Sequence, residues 1–404
     1  MSTSLLYHGF GVRGYRYRRT EYDGGMVLFH VEAGASASRC PVCGCTHVIG
    51  RGKRKRWFRS VPIGGKLTWI VAELPRVECR ECGAVRQVEI GFAPARCSYT
   101  KAFAQYALEL SRHMTIKDVA EHLCITWDVI KDIKKTYLQK HFARPPLADV
   151  RRIAIDEISI GGGYRYLTIV LDLDSGAILF VGEGKGGDAL LPFWRRVRRV
   201  RPDIEAVAID MSQAYIRAVE KHLPEATIVF DHFHVVKLLN EKLTALRREL
   251  YREATDLLKK RVLKGTRWLL LMNNENLSDE RKEKKRLAEA LELNEPLAKA
   301  YYLKEELREL WKQPTKTAAR NFLTSWYLRA MNSGVRQLVE FARTLLAHAT
   351  GILAYYNHAI STGPLEGLNN KIRTLQRQAY GFRDHEYFVL CLYALHRMKY
   401  ALVG

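Results

Sequence analysis

Apolar and polar positions divide the chain into stretches of different period. Over residues 1–95 short alternating runs, among them MVLFHVEA and KLTWIVAELPRVEC, are broken by Gly and Pro and predict small strands. Residues 98–142 carry apolar positions at helical spacing. Arg144-Pro145-Pro146 predicts a linker, because consecutive prolines end a helix and hold the chain extended. From residue 150 three runs rich in β-branched residues follow one another, RRIAIDEISI, YLTIVLDLDSG and AILFVGEG, separated by turns as in a β-meander. DALLPFWRRVRRV then predicts an amphipathic helix, EAVAID a short buried strand, MSQAYIRAVEKHLP a helix and TIVFD a strand.

Three strands, then helix, strand, helix, strand, is the order of a ribonuclease-H-like α/β core. After Phe230 nearly everything reads as helix, including a highly charged span from about Glu241 to Trp326. PLEGLNNKIRTLQRQAYGF starts with Pro364 at a first helical position. No internal repeat is present, which argues against a solenoid.

Composition adds a partner class. The 404 residues are 47% hydrophobic, enough for packed interiors, yet the formal net charge is +22. Residues 1–150 hold 24 Lys and Arg against 13 Asp and Glu, so about half of the excess lies in the first third. Such an excess points to a polyanion, either nucleic acid or an acidic membrane surface. No apolar run reaches the length of a bilayer span and MSTSLLYHGFGVRG has no signal-peptide stretch, so a membrane partner is not expected. The expectation is a cytoplasmic protein.

Four of the eight cysteines form two Cys-x-x-Cys-Gly turns, Cys40-Pro-Val-Cys43-Gly and Cys79-Arg-Glu-Cys82-Gly. In a reducing compartment this spacing predicts one tetrahedral Zn²⁺ site, the glycine after each pair letting the backbone turn tightly. Cys45 and His47 lie close enough in sequence to substitute for a ligand of the first pair. Cys97, Cys124 and Cys391 are expected to be small buried hydrophobes. Between the turns, Arg51, Lys53, Arg54, Lys55 and Arg56 precede Trp57 and Phe58. A charge run is commonly only a solvated face, but cations interleaved with aromatics on a zinc-stiffened hairpin suit phosphate contacts backed by stacking.

IKDVAEHLCITWDVIKDIKKTY, Ile116–Tyr137, fits a helix-turn-helix frame. Val119, Ala120, Leu123, Ile125, Ile130 and Ile133 take the inward positions, Thr126 is placed to cap the second helix, and Cys124 stands at the turn position usually held by Gly. Lys131, Lys134 and Lys135 would then face the major groove or its phosphates; an ordinary helical hairpin is the alternative.

Asp156 ends the run Ile153-Ala-Ile-Asp156 and Asp210 ends Val207-Ala-Ile-Asp210. Aspartates at the tips of neighbouring buried strands converge and repel unless a cation lies between them, which implies a divalent metal. Strand-end aspartates also commonly cap turns or pair with surface cations. Glu366, in Gly363-Pro-Leu-Glu366, would add a third ligand from a helix, with Lys371 and Arg373 near it to hold phosphates. Such a triad suits phosphodiester chemistry with Mg²⁺ or Mn²⁺.

Taken together, CPVCG…CRECG, the helix-turn-helix, IAIDEIS, YLTIVLDLDSG, VAIDMSQAY, DHFHVVKLLN, RWLLLMNNENL and GPLEGLNNKIRTLQRQAYGF resemble, in that order, the ISL-three family of bacterial insertion-sequence transposases over essentially the whole chain. The resemblance implies an Asp-Asp-Glu transposase whose triad falls on Asp156, Asp210 and Glu366, with a helical insertion before the Glu. Thr362 stands where relatives often carry Asn. Asp231-His-Phe-His234 resembles an Asp-x-x-His element of several transposase groups; His232 is expected to be a buried histidine bonded to the strand end, and the role of His234 is left open.

The expected organisation is multidomain α/β. A zinc ribbon occupies 1–97, a helix-turn-helix 98–145, and the first part of a ribonuclease-H-like core 150–240. A helical insertion follows at 241–355, and 356–404 returns to the core with Glu366. The expected function is a transposase that binds the terminal inverted repeats of an insertion sequence as double-stranded DNA, and cleaves and transfers strands. Holding two DNA ends together calls for a homodimer or higher assembly. The competing reading is a catalytically inactive, transposase-derived DNA-binding regulator; a nuclease without end specificity is a third. Gly182-Glu-Gly184-Lys-Gly-Gly187 mimics a dinucleotide fingerprint, but its strand follows an Asp-Ser-Gly turn and is expected to be antiparallel, which that fold does not allow.

Overall fold

The computed structural model describes residues 4–34, 39–161, 166–256, 263–264 and 266–396. The chain forms two compact units, divided between Ala143 and Arg144 just before the double proline. Gln378–Leu390 groups with the N-terminal unit, and Arg144–Arg377 makes up most of the other. Although 356–404 is expected to return to the core, Asp384 and Glu386 of this segment make ion pairs with Lys131 and Lys135 of the helix-turn-helix.

In the first unit, β1 (Tyr15–Asp23), β2 (Met26–Ala33), β3 (Val48–Ile63), β4 (Lys66–Cys79) and β5 (Val85–Gln87) form one sheet in the order β1-β2-β4-β3, with β5 beside β4. Period-two alternation puts Ile70, Ala72 and Leu74 of β4 into a core with Phe58 and Phe92. Three helices follow, α2 (Lys101–Leu110), α3 (Ile116–His122) and α4 (Trp127–Phe142), after the short α1 (Leu5–His8) near the start. Their inward residues are the ones expected: Val119, Ala120, Leu123, Ile130 and Ile133 are buried, and Ile125 packs against them. Arg59 ties sheet to helices. Its backbone bonds Ser98 and Thr100 at 2.8 Å each, and its buried guanidinium donates to the Leu123 carbonyl at 3.0 Å beneath the Trp69 and Phe103 rings.

The second unit is built on the sheet β10-β9-β6-β7-β8, where β6 is Arg152–Ser159, β7 Tyr166–Asp172, β8 Ile178–Glu183, β9 Ala206–Ile209 and β10 Thr227–Phe230. β6, β7 and β8 are an antiparallel meander, and β9 and β10 add in parallel through α5 (Leu191–Val200) and α6 (Gln213–His222). This is the ribonuclease-H-like order predicted. Because β8 is antiparallel to β7, the glycine run after it starts no dinucleotide fold. Gly182 has a packing cause instead: a Cβ there would come within 2.4 Å of the Ala189 carbonyl.

α7 (His232–Glu253) runs unbroken through the expected boundary at 240, burying Val235, Leu239, Leu243 and Leu246 along one stripe. α8 (Arg267–Leu271), α9 (Glu283–Glu292), α10 (Glu295–Leu307), α11 (Lys316–Met331), α12 (Arg336–Ala347) and α13 (Ala349–Leu353) continue the helical region. The predictions over 257–262, 265 and 397–404 lie outside the described residues. α14 (Gly363–Gln378), with Pro364 in its first turn, and α15 (His385–Ala394) complete the order. Among the described residues no helix is long and apolar enough to cross a membrane.

Candidate active site and DNA-contacting surfaces

The register of the parallel pair β6–β9 matches Ala154 with Ala208, and two residues on along both chains stand Asp156 and Asp210. Neighbouring strands lie ~4.8 Å apart, so the two carboxylates stand side by side just past the β6–β9 ladder. Asp210 follows the end of β9 as expected, whereas Asp156 is not at a strand tip, because β6 continues to Ser159 through its pairing with β7. Burial raises the Asp156 carboxyl above its ordinary range, and the charges of Asp210 and Glu157 add to the rise. The Glu157 amide and His234 act the other way, the histidine Nε2 standing 4.0 Å from Asp156 Oδ1. Asp210 accepts the Ser212 amide at 2.9 Å, which fixes one of its oxygens. Glu157 belongs to the opposite face by strand alternation, where the buried Tyr215 hydroxyl donates to it at 2.7 Å. Two clustered, half-buried carboxylates with one imidazole nearby form a donor set that fits a divalent cation.

Glu366 lies in the first turn of α14, exposed. Among the described residues its carboxylate does not join those of Asp156 and Asp210 within 4.8 Å. Contacts at both ends nevertheless carry its helix across the sheet. Thr362 donates to the buried Asp231, at the end of β10, at 2.5 Å, and Gln376 donates to the Ile160 carbonyl, just past β6, at 3.1 Å. In the sheet order β9, the strand that leads to Asp210, lies between β10 and β6. Lys371 and Arg373 are exposed on the same helix, and Arg373 follows Glu366 by seven residues, on nearly the same face. Thr362, which stands where relatives often carry Asn, thus anchors the helix. His232, expected to be buried, is exposed beside Asp231, since Asp231 fills the buried position itself.

At the knuckles the four cysteine sulfurs all lie within 4.8 Å of one another. Cys40 and Cys82 are 3.7 Å apart and Cys43 and Cys79 3.5 Å. A tetrahedron with ~2.3 Å Zn–S bonds has edges of ~3.8 Å, so the group has the size zinc requires. Gly44 and Gly83 follow the two pairs with φ of 76° and 68°, the left-handed turn that glycine permits. The amides of Cys82 and Glu81 bring the Cys79 thiol down to about 6, which favours the thiolate a metal needs.

The basic hairpin is more selective than its sequence suggested. Arg51 is paired with Glu78 at 2.5 Å and Lys53 with Glu32 at 2.7 Å. Arg56 donates to the Cys97 carbonyl at 2.9 Å. Arg54 and Lys55 point to solvent, and Lys55 lies over the exposed Trp57 ring at 5.6 Å. Phe58, expected to stack on DNA, is wholly buried, because strand alternation turns it inward onto Phe92.

In the helix-turn-helix, Cys124 adopts φ 50° at the turn and is exposed, contrary to the expectation of burial. Cys97 is half-buried, and only Cys391 of the three is fully buried. Thr126 sits at the N-cap of α4 but its side chain makes no cap bond; Thr115 instead forms a reciprocal capping box with Asp118 on α3. Lys131 meets Asp384 at 3.0 Å, and Lys135 meets Asp384 at 3.2 Å and Glu386 at 2.6 Å. Lys134 is the member of the lysine set outside this cluster.

One surface was missed from sequence. α7 and α8 bound a groove of about 410 Å³ lined by Phe233, Lys237, Arg248 and Arg267 among others, and Arg267 stacks over the exposed Trp268 at 4.8 Å. The signal was there in part: Phe233, Lys237, Glu241, Thr244 and Arg248 recur at helical spacing.

The chain is similar to known proteins over most of its length. A family model described as "Transposase" matches residues 153–392, one described as "Helix-turn-helix domain of transposase family ISL3" matches 88–137, and one for the "zinc-finger of transposase IS204/IS1001/IS1096/IS1165" matches 36–82. The transposase for insertion sequence element IS1001 of Bordetella parapertussis is 32% identical over 94% of this chain and 95% of its own length. The transposase for IS1557 of Mycobacterium tuberculosis is 29% identical over 90% of this chain and 86% of its own. A Drosophila P element transposase strand transfer complex is similar at a TM-score of 0.41 and 10% identity, covering 76% of this chain and 94% of that one.

Proposed function

The chain belongs to the ISL3 family of insertion-sequence transposases, and from that premise we propose that it cuts DNA at the ends of such an element and joins them to a target, with Asp156, Asp210 and Glu366 as the catalytic carboxylates. The observation that carries the reading is the pairing of Asp156 and Asp210 on adjacent parallel strands, where burial and mutual repulsion leave a carboxylate pair wanting a cation. Asp156 and Asp210 would hold Mg²⁺ or Mn²⁺, with Glu366 closing on the site from α14. When bound, the metal supplies activation of the attacking oxygen and stabilisation of the leaving one in an in-line displacement. The protein needs no nucleophile of its own. His234 orients the Asp156 carboxylate, and Lys371 and Arg373 neutralise strand phosphates beside Glu366.

The zinc ribbon and helix-turn-helix bind the terminal repeats as duplex DNA. Arg54, Lys55 and Lys134 are the members of the two basic sets best placed for phosphates, because acidic residues already neutralise Arg51, Lys53, Lys131 and Lys135 in whole or part. Two ends must be held at once, so the active form is a dimer or higher assembly on DNA.

The test is cleavage of duplex DNA carrying the element's own inverted repeats, with Mg²⁺ or Mn²⁺, by wild type, Asp156→Ala and Glu366→Gln. The expected result is cutting by wild type alone, with all three binding the ends. Wild type that binds yet never cuts with either metal would establish the inactive regulator instead, and cutting without end preference the nuclease.

A further inference from the structure

Beside the four-cysteine cluster lies a second group of metal-ligating side chains. Cys45 Sγ, the His47 ring nitrogen and a Glu81 carboxylate oxygen all lie within 4.8 Å of one another. We propose that Cys45, His47 and Glu81 form a second zinc site on the ribbon, distinct from the one held by Cys40, Cys43, Cys79 and Cys82.

Backbone geometry builds the group. The Cys40 amide donates to the Cys45 carbonyl at 2.9 Å, which closes the first knuckle and sets Cys45 at its exit. The Arg80 amide donates to the His47 carbonyl at 3.0 Å, so the strand leaving the first knuckle is laced to the turn of the second, and Glu81 follows directly. The His47 amide donates to Cys45 Sγ at 3.2 Å, and His47 Nδ1 stands 3.4 Å from Glu81 Oε1. Bonds of ~2.3 Å to sulfur and ~2.0 Å to nitrogen and oxygen give a zinc polyhedron with edges of ~3.3 to 3.5 Å. His47 Nδ1 and Glu81 Oε1 stand at that edge length, and Cys45 Sγ lies within 4.8 Å of a ring nitrogen and a carboxylate oxygen of the two.

Charge favours the same assignment. A Zn²⁺ bound by four thiolates carries a net charge of −2, so a second cation beside it is attracted. A thiolate and a carboxylate neutralise that second ion, with the neutral imidazole as third ligand and water as fourth. The mixed sulfur, nitrogen and oxygen set selects zinc over Mg²⁺ or Ca²⁺, which take oxygen alone. Binding releases the Cys45 thiol proton to solvent, one per ion.

The experiment counts metal in the full chain. Wild type is equilibrated with excess zinc, desalted into chelator-free buffer and measured by mass spectrometry of the metal, then titrated with a chromophoric chelator. The expected result is two zinc ions per chain leaving in two steps, the weaker step belonging to the new site. Cys45→Ser and His47→Ala should hold one ion and lose the weak step, and Glu81→Gln, at an exposed position that leaves folding alone, should weaken that step at least tenfold. With Co²⁺ in place of zinc, the first equivalent should show the charge-transfer band of four thiolates and the second a much weaker one. A single ion in wild type would overturn the proposal. So would two ions in all three variants, or loss of the tight step in Cys45→Ser, which would make Cys45 a ligand of the four-sulfur site instead.

Discussion

Asp156→Asn separates the cost of burying a carboxylate from the use made of it. The substitution keeps shape and removes charge. In wild type, burial, Asp210 and Glu157 raise the Asp156 carboxyl, opposed by the Glu157 amide and His234. A raised acid binds its proton more tightly folded than unfolded, so the penalty sets in as pH rises above the unfolded value of ~3.9 and is complete above the folded one. At neutral pH wild type therefore bears it and the variant does not. Burial is the largest cause of the rise, and leaving a partly buried polar group without full solvation costs on the order of 1 kcal/mol. Without divalent cations Asp156→Asn should thus be more stable than wild type by about 1 kcal/mol at pH 7.5, with the gap closing near pH 4.

Magnesium should reverse the order. For a site with a Kd of ~1 mM, ~10 mM Mg²⁺ stabilises by ~1.4 kcal/mol, or roughly 3 °C in the transition of a domain of this size. Scanning calorimetry with and without Mg²⁺ measures both effects on one pair of proteins. Cleavage should fall at least ~10³-fold in the variant, because a lost metal ligand removes several kcal/mol of transition-state stabilisation. The reasoning fails if the variant gains the same magnesium shift as wild type, or if it still cuts at the wild-type rate.

Three further outcomes follow from the N-terminal unit. Arg54→Ala and Lys55→Ala should each lower the slope of log affinity against log salt by about 1, whereas Arg51→Ala and Lys53→Ala, whose charges are already paired, should move it less; mobility shifts over a salt series decide this. Asp384 is held down to about 2 by the Tyr387 amide and by Lys131 and Lys135. A depressed acid contributes stability above its unfolded pKa and loses it as pH falls through the folded one, so Asp384→Asn should cost about 1 kcal/mol at pH 6 in urea melts, and the difference should shrink between pH 4 and 2. Arg59→Ala should cost about 2–3 kcal/mol in the same melts, since it strands the Leu123 carbonyl and empties the space between Trp69 and Phe103; Arg59→Lys should restore little of it.

Local chemistry was legible along the chain wherever a residue's neighbours in sequence are its neighbours in space. The knuckles, the helix-turn-helix core from Val119 to Ile133, and the apolar strands leading to Asp156 and Asp210 are of that kind, although β6 runs on past Asp156 to Ser159 through its pairing with the distant β7. Each depends on spacing within one turn, one hairpin or one strand. Phe58 and Thr126 show the limit of such reading. The turn of Phe58 into the core follows from register with β4, and the cap at Thr126 went unmade although its position was right.

Charge needed the tertiary structure most. A lysine in sequence is simply a cation, but whether it can meet a phosphate depends on acids brought from far along the chain, as Asp384 is brought 249 residues to Lys135. The approach of α14 was equally hidden, because Thr362 and Asp231 become partners only when strand end and helix start fold together across 131 residues. Sequence alone determined that this protein has two apolar strands leading to aspartates, cysteine turns spaced for a metal and an excess of cations. Only the folded chain decided which cations of the basic sets meet acidic partners and which distant residues anchor the helix of Glu366, since both depend on long-range contacts that no local pattern encodes.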